Sequence, residues 1–209
     1  MTGFYSKQFF TFLVILLSFN YYIISSSAAR HLSTQTSTEF IKKSCSSTSY
    51  PMLCFSTLSR HANLIQNSPK ILAHTALNVT LFTAKSVSNM MITMSHRHGM
   101  KPREMGAMKD CVEELSASTD ALRRSLDEFS RIGSADWRLT MSDIQTWVSA
   151  ALTDDMTCTD GFEGKEMNGN VKDVVGGQIL KVAHLTSNAL ALINRSHKNS
   201  RQFLLKRMT

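Results

Sequence analysis

The polar residues with the most chemical potential lie in one stretch, Trp147–Gly164, where hydroxyl, carboxyl and thiol groups follow an apolar helical pattern. Within about two helical turns this stretch contains Thr153, Asp154, Thr157, Cys158 and Asp160. Ser, Thr and Asp side chains compete with the backbone for hydrogen bonds, which weakens a helix interior and favours helix ends. By residue type alone, the stretch predicts the polar end of a helix and a cysteine held in a structural disulfide.

A second set of carboxylates recurs at seven-residue spacing in the preceding segment, at Glu113, Asp120 and Asp127. Residues seven apart lie on one face of a helix, so these three form an acidic row. Acid–base catalysis needs a pocket that shifts pKa values, and an exposed helix face supplies none. The sequence contains no nucleophile elbow, no zinc-protease motif and no glycine-rich phosphate loop. We therefore predict a protein that is not an enzyme, with no catalytic residue, metal site or cofactor.

Residues 1–29 predict a cleaved signal peptide. Lys7 supplies a positive start, residues 9–24 are almost unbroken apolar sequence, and Ser27-Ala28-Ala29 offers small residues for cleavage. The apolar run is short for a membrane span, so we expect no span after cleavage, with a signal anchor as the alternative. A secreted chain permits disulfides between its four cysteines. Secretion also makes Asn78 and Asn194 candidates for N-glycosylation.

The net charge of +7 is distributed unevenly along the chain. Residues 30–101 carry eight Lys or Arg and one acidic residue, whereas residues 102–163 carry six against thirteen. Residues 195–209 carry five basic residues and no acid. Nucleic acid is a poor choice of partner, because the chain is predicted to be secreted and its central half is acidic.

The hydrophobic pattern predicts two short helices and four long ones. The short ones are Thr38–Cys45 and Met52–Asn67, separated by the turn signal Tyr50-Pro51. Four long helices are predicted at Pro69–His98 with Ser68 as N-cap, Arg103–Ile132, Met141–Cys158 and Val171–Arg195. Connections are expected at Ser134–Thr140, with Trp137 over the bundle end, and at Gly161–Asn170.

Two of the long helices have well-defined inward stripes. In the second predicted long helix, Arg103–Ile132, the stripe is broken once, by a threonine: Met105, Met108, Val112, Leu115, Thr119, Leu122, Leu126 and Phe129. In the last segment the inward residues are Val175, Ile179, Val182, Leu185, Ala189 and Leu192. Four amphipathic helices with short links predict an all-α fold, an antiparallel up-down-up-down four-helix bundle with a helical hairpin at one end.

The predicted domain organisation follows from these elements. Residues 30–37 form a flexible N-terminus, and residues 38–195 form one domain. Within it, residues 38–67 are the helical hairpin and residues 68–195 the bundle. Residues 196–209 are a basic tail with one apolar patch, for which a solvated state is the expectation.

The order of residues in the first stretch resembles the plant invertase/pectin methylesterase inhibitor family. The shared pattern is T-x-x-x-T-C-x-D-x-F-E after W-x-S-A-A-L. Three further features agree: Cys45 and Cys54 with eight residues between them, the string K-D-C-x-E-x-L at Lys109–Leu115, and H-L-T-S-N-A-L-A-L-I at His184–Ile193. The resemblance covers about Thr38–Arg195, which is nearly all of the predicted mature chain.

The resemblance implies disulfides and a fold. Four cysteines allow three pairings, which residue types alone leave open. In the family Cys45 pairs with Cys54, and Cys158 is then the natural partner of Cys111. The implied fold is the four-helix bundle described above.

The resemblance also implies inhibition of a plant pectin methylesterase in the cell wall, by a reversible, non-covalent one-to-one complex that covers the pectin-binding cleft. Carried over residue by residue, the expected contacts with the enzyme are Glu113, Asp120, Thr157 and Asp160. The family's acidic residue one turn before Asp120 falls on Ala117 here, which puts contact strength or enzyme preference in question.

Two alternatives stay open. An inhibitor of plant acid invertase would have the same fold, although the strings around Cys111 and Cys158 favour the methylesterase. A wall-associated helical module that does not inhibit would instead use its basic regions for a weak contact with pectin.

Overall fold

The computed structural model describes residues 35–96, 99–131, 137–163 and 170–208, together with Leu13 and Ile15. The rest of the predicted signal peptide, residues 30–34 of the predicted flexible N-terminus and most of the glycine-rich link at 164–169 lie outside the described residues. Over the described ranges the chain is helical and contains no strand. No helix in these ranges is long and apolar enough to span a bilayer.

The hairpin is built from three short helices. Helix α1 covers residues 35–45, α2 covers Pro51–Leu58 and α3 covers Ala62–Ile65. A single 3-10 turn, Ser59–His61, separates α2 from α3, so the one helix expected over Met52–Asn67 is interrupted. The disulfide between Cys45 and Cys54, whose Cα atoms are 5.6 Å apart, joins α1 to α2.

Four long helices form the bundle: α4 at Pro69–Ser95, α5 at Pro102–Ser130, α6 at Trp137–Gly161 and α7 at Asn170–Met208. Helix α4 packs against α5 and α7, and α6 packs against the same two helices. Because short links join consecutive helices, neighbours in this ring run antiparallel. The predicted all-α bundle is confirmed.

The helix ends follow local hydrogen bonding. Ser68 caps α4 as predicted, and its hydroxyl oxygen accepts a hydrogen bond from the Ile71 N–H at 3.3 Å. At the start of α5, the Glu104 carboxylate accepts from the Lys101 N–H at 2.9 Å. This bond satisfies one of the free N–H groups at the helix N-terminus.

Two helix boundaries differ from the sequence-based expectation. Helix α6 starts at Trp137, so the assignment of Trp137 to a connecting loop is wrong. Helix α7 continues to Met208, well past the expected end at Arg195. In both places the sequence contains no Gly or Pro to stop the helix, and each added residue gains a backbone hydrogen bond.

The buried stripe of α5 differs in part from the predicted one. Four predicted members are fully or almost fully buried, namely Met108, Leu115, Leu122 and Phe129. The other inward positions are Glu104, Cys111, Ser118 and Ser125, each one residue before the expected Met105, Val112, Thr119 and Leu126. The disulfide places Cys111 against α6, and Ser118 is held there by its hydrogen bond to Asp155. In α7 all six predicted inward residues are buried.

The side-chain amide of Asn188 on α7 makes two hydrogen bonds with the hairpin. Asn188 Oδ1 accepts from the Tyr50 N–H, and Asn188 Nδ2 donates to the Tyr50 carbonyl oxygen, both at 3.0 Å. The Tyr50 ring also stacks on His184, with ring centroids 3.5 Å apart. Since Asn188 is almost completely buried, these bonds satisfy polar groups that would otherwise be costly.

We expect removal of the disulfide between Cys111 and Cys158 to destabilise the protein more than removal of the one between Cys45 and Cys54. The first closes a chain separation of 47 residues and the second one of 9. In the chain-entropy account these loops contribute about 4 and about 3 kcal/mol. The double variants Cys111→Ser/Cys158→Ser and Cys45→Ser/Cys54→Ser should therefore differ in melting temperature by roughly 2–4 °C. Equal melting temperatures in calorimetry would contradict the loop argument.

Candidate functional site

A cleft of about 620 Å³ lies over the disulfide between Cys111 on α5 and Cys158 on α6. The two Cα atoms are 4.5 Å apart, so the helices touch closely at this level. Around the disulfide the lining residues are Arg103, Gly106, Ala107, Asp110, Glu114, Thr157 and Gly161. Gly106 and Gly161 leave open space beside the disulfide, and three charged residues, Arg103, Asp110 and Glu114, line the cleft. We call this feature the α5–α6 cleft.

The α5–α6 cleft is acidic. Asp110 and Glu114 on α5 line it, and Arg103 is the one basic residue among its lining. Asp154 on α6 is close enough to Glu114 to be affected by its charge. Burial, and then the Glu114 carboxylate, raise the pKa of Asp154 above its usual value. The cleft is therefore suited to a polar or cationic surface and unsuited to an anionic one.

The four residues expected to contact a target enzyme are all exposed: Glu113, Asp120, Thr157 and Asp160. Only Thr157 lines the α5–α6 cleft. The Asp120 carboxylate forms an ion pair with Arg123 at 2.9 Å, and both side chains are more than half exposed. An exposed pair of this kind contributes about 0–1 kcal/mol, so Asp120 can exchange Arg123 for another cation at little cost.

The hydroxyl of Thr157 is already committed as a donor. Its Oγ1 donates to the carbonyl oxygen of Thr153 at 2.9 Å. The lone pairs of that oxygen remain able to accept a hydrogen bond from a partner. Any hydrogen bond that Thr157 makes to another protein is therefore expected to be one that it accepts.

The sequence pattern places Glu114 beside the acidic row and Asp154 at a polar helix end, but it identifies neither of them, nor Asp110, as an expected contact. The position of Cys111 is the sequence feature that could have identified Asp110 and Glu114. In a helix, the residues one before and three after a given residue lie together on one side of it. Once Cys111 faces α6, Asp110 and Glu114 must border the line of contact between the two helices.

One turn before Cys158 on α6, Asp155 is a fully buried carboxyl that sequence reasoning missed. It joins three helices. Ser118 Oγ on α5 donates to Asp155 Oδ1 at 2.7 Å, and Thr186 Oγ1 on α7 donates to Oδ2 at 2.7 Å. Both hydroxyls are themselves completely buried. A buried polar group that is hydrogen-bonded on both oxygens fixes how α5, α6 and α7 meet.

Burial raises the pKa of Asp155 to about 6, although the hydrogen bonds from Thr186 and Ser118 oppose the shift. The carboxylate of Asp154 adds to the increase in the pKa. Thr186 Oγ1 also lies 3.0 Å from the Val182 carbonyl oxygen, and its one hydrogen can serve only one acceptor at a time. Protonated Asp155 can donate to Thr186, which then donates to Val182. All these groups are therefore satisfied in either state.

Asp155 is completely buried, and no substrate can reach it. Among the described residues, no three His, Cys, Asp or Glu side chains come together as a metal site. The two candidate N-glycosylation sites are exposed on helices: Asn78 on α4 and Asn194 on α7. Asn194 Oδ1 accepts a hydrogen bond from Gln145 Nε2 at 2.8 Å.

Comparisons with known proteins agree with this architecture. The sequence model of a family described as "Plant invertase/pectin methylesterase inhibitor" matches residues 39–192. "Pectinesterase inhibitor 11" of Arabidopsis thaliana is 44% identical over 195 residues, which cover 90% of this chain and 96% of the relative. A Daucus carota protein named "21 kDa protein" is 46% identical over 159 residues, or 75% of this chain and 82% of the relative.

A solved structure is similar in fold. The crystal structure of mutant form A of a pectin methylesterase inhibitor from Arabidopsis matches with a TM-score of 0.59 at 21% identity. The match covers 72% of this chain and 92% of that chain. At this identity the likeness establishes a shared bundle fold.

We expect Asp155→Asn to reduce the dependence of stability on pH. Because folding raises the pKa of Asp155 from 3.8 to about 6, its contribution to stability is complete below the lower value. That contribution is lost as the pH rises through the higher value, and amounts to about 3 kcal/mol. Asparagine has the size of the protonated acid and the same pair of roles, one acceptor for Ser118 and one donor toward Thr186, but does not ionise. The free energy of unfolding, measured in urea at pH 4.5 and 7.5, should therefore fall less in the variant.

The matched control is Asp143→Asn, which removes an exposed carboxyl from the same helix. It should retain the pH dependence of the parent protein. If the free energy of unfolding changes with pH by the same amount in Asp155→Asn and Asp143→Asn, ionisation of the buried carboxyl does not determine the pH dependence of stability.

Proposed function

Because the chain belongs to the plant invertase/pectin methylesterase inhibitor family, we propose that it inhibits a plant pectin methylesterase. The observation that carries this proposal is its identity of 44% to a named pectinesterase inhibitor along 90% of its own length. Proteins with this function are inhibitors of an enzyme and have no catalysis of their own. Inhibition would limit the removal of methyl esters from pectin in the cell wall.

The proposed mode of inhibition is a reversible, non-covalent one-to-one complex that covers the pectin-binding cleft of the enzyme. De-esterified pectin is a polyanion, so an enzyme that holds it is expected to present cations along its cleft. Within the acidic row on α5, the exposed residues Glu113 and Asp120 offer carboxylates on a rigid support. Asp160 and Thr157 extend the surface at the end of α6, beside the α5–α6 cleft.

Electrostatic attraction would increase the rate of association as well as the affinity of the complex. Charges of opposite sign steer two proteins together before contact, and this steering weakens as salt is added. Asp110 and Glu114, which line the α5–α6 cleft, enlarge the acidic area beyond the four residues first expected. The complete surface would therefore consist of the acidic row, the rim of the cleft and the end of α6.

The site of action that we propose is the cell wall, after secretion. The predicted signal peptide and the target enzyme's own location both support this placement. Two disulfides also suit an oxidising compartment.

Invertase inhibition is the second candidate, because the matching family includes inhibitors of both enzymes. The names of the relatives at 44–46% identity favour pectin methylesterase or leave the target open. Inhibition assays of the purified chain against a plant pectin methylesterase and a plant acid invertase separate the two. A chain that inhibits neither enzyme would overturn the proposed function.

We expect Glu113→Lys combined with Asp120→Lys to raise the inhibition constant against pectin methylesterase by about tenfold or more. Each reversal removes an attraction and adds a repulsion within one interface, where close charge pairs couple by more than 1 kcal/mol. Both side chains are exposed, so circular dichroism and the melting temperature should change little. Inhibition by the parent protein should also weaken as salt is added.

The matched control is Glu39→Lys combined with Asp143→Lys. Glu39 lies on α1 and Asp143 near the start of α6, both exposed and at the other end of the bundle from Thr157 and Asp160, and the change in net charge is identical. The control should inhibit like the parent. If both double variants lose inhibition equally, net charge and not the α5–α6 surface determines binding.

A further inference from the structure

A second cleft lies where the hairpin meets the bundle, on the side of the molecule formed by α1, α4 and α7. It has a volume of about 230 Å³ and its charged lining residues are Lys43 on α1 and Arg195 on α7. Its apolar wall is formed by Phe40, Leu72 and Leu192. We call it the basal cleft. Its volume is below the range that holds drug-sized ligands, which suits one sugar ring or a group of similar size.

Arg195 is held in place by the hairpin. Its Nη1 donates to Ser47 Oγ at 2.6 Å and to the Ser44 carbonyl oxygen at 3.4 Å. Within the described residues its Nε and Nη2 make no hydrogen bond and no ion pair. A guanidinium held at one nitrogen with its other N–H donors available matches the two oxygens of a carboxylate.

The surroundings of the basal cleft are also basic. Lys42 and Lys43 are exposed side by side on α1, and Lys198 is exposed one turn after Arg195 on α7. Glu39 is the one acidic residue in residues 35–95, against five Lys or Arg. No described ion pair neutralises Lys43 or Arg195. The helical continuation of α7 to Met208 adds further basic residues and no acid in sequence.

The basal cleft is far from the α5–α6 cleft. Asn194, the neighbour of Arg195, accepts a hydrogen bond from Gln145 on α6. Gln145 precedes Thr157 on the same helix by a rise of roughly 18 Å at 1.5 Å per residue. A ligand in the basal cleft therefore leaves the acidic surface near Thr157 accessible.

We propose that the basal cleft binds a uronate unit of an anionic polysaccharide, with Arg195 and Lys43 on its carboxylate and the apolar wall against its ring. A site with two cations and an apolar wall favours a linear polymer of sugars that carry carboxylates, and de-esterified pectin is such a polymer. The choice of this polymer rests on the proposed function, because pectin methylesterase produces its carboxylates. The inhibitor could then be retained on pectin that has already lost its esters while its acidic face holds the enzyme.

The test is calorimetric titration of residues 30–209 with trigalacturonate, in the absence of any enzyme. The protein is produced without N-glycans, because the Asn194 sequon adjoins Arg195. Lys43→Gln combined with Arg195→Gln should weaken binding by about tenfold or more, as expected when charged hydrogen bonds are lost. The matched control, Lys85→Gln combined with Lys181→Gln, removes two exposed charges from α4 and α7 away from the cleft. It should bind like the parent.

Three outcomes would overturn the proposal: equal weakening by both double variants, equal affinity for fully methyl-esterified trigalacturonate, or equal affinity for triglutamate. The first and third would indicate attraction between charges without a defined site. Because Arg195→Gln also removes contacts with Ser44 and Ser47, Lys43→Gln alone provides a second variant that keeps the hairpin intact. Its failure to weaken binding would likewise count against the proposal. If the parent protein binds trigalacturonate but does not inhibit pectin methylesterase, the proposed function is contradicted and this inference still stands.

Discussion

The contact between Cys111 and Cys158 fixes the register of α5 against α6, and the candidate docking surface depends on it. The helices are antiparallel, so one turn forward from Cys111 lies opposite one turn back from Cys158. This relation brings Glu114 beside Asp154, and Ser118, one turn further along α5, donates a hydrogen bond to Asp155. A slip of one turn would move a carboxylate by about 5 Å and separate both pairs. The covalent bond thus aligns the acidic groups of the surface as well as restraining the unfolded chain.

Asp155 extends that alignment to a third helix. Its two oxygens accept from α5 and α7, so the buried carboxyl connects helices that the disulfide alone does not join. Burial disfavours the ionised form of the carboxyl group, and the pKa of Asp155 is raised as a result. Three residues of the string H-L-T-S-N in α7 contact residues outside that helix. His184 stacks on Tyr50, Thr186 bonds Asp155, and Asn188 holds the hairpin.

Charge is divided between two sides of the bundle. Helices α5 and α6 contain eleven acidic residues against five basic ones. The hairpin with α4 contains five basic residues against one acid over residues 35–95, and α7 contains seven against one. Since α4 and α7 are neighbours in the ring, segments far apart in sequence combine into one basic side. A long-range field with opposite poles orients a molecule between an anionic polymer and a cationic surface.

The sequence by itself determined the all-α bundle, the Ser68 cap and the inward face of α7, because local hydrogen bonding and a 3.6-residue period decide these features. The exposure of Glu113 and Asp120 also followed from their spacing. Tertiary packing alone decided that Cys111, Ser118 and Ser125 face inward in place of Val112, Thr119 and Leu126. A small residue is buried only when a neighbouring helix comes close, which no local pattern encodes. Asp155 and Arg195 acquired their roles in the same way, since their partners lie on helices distant in sequence.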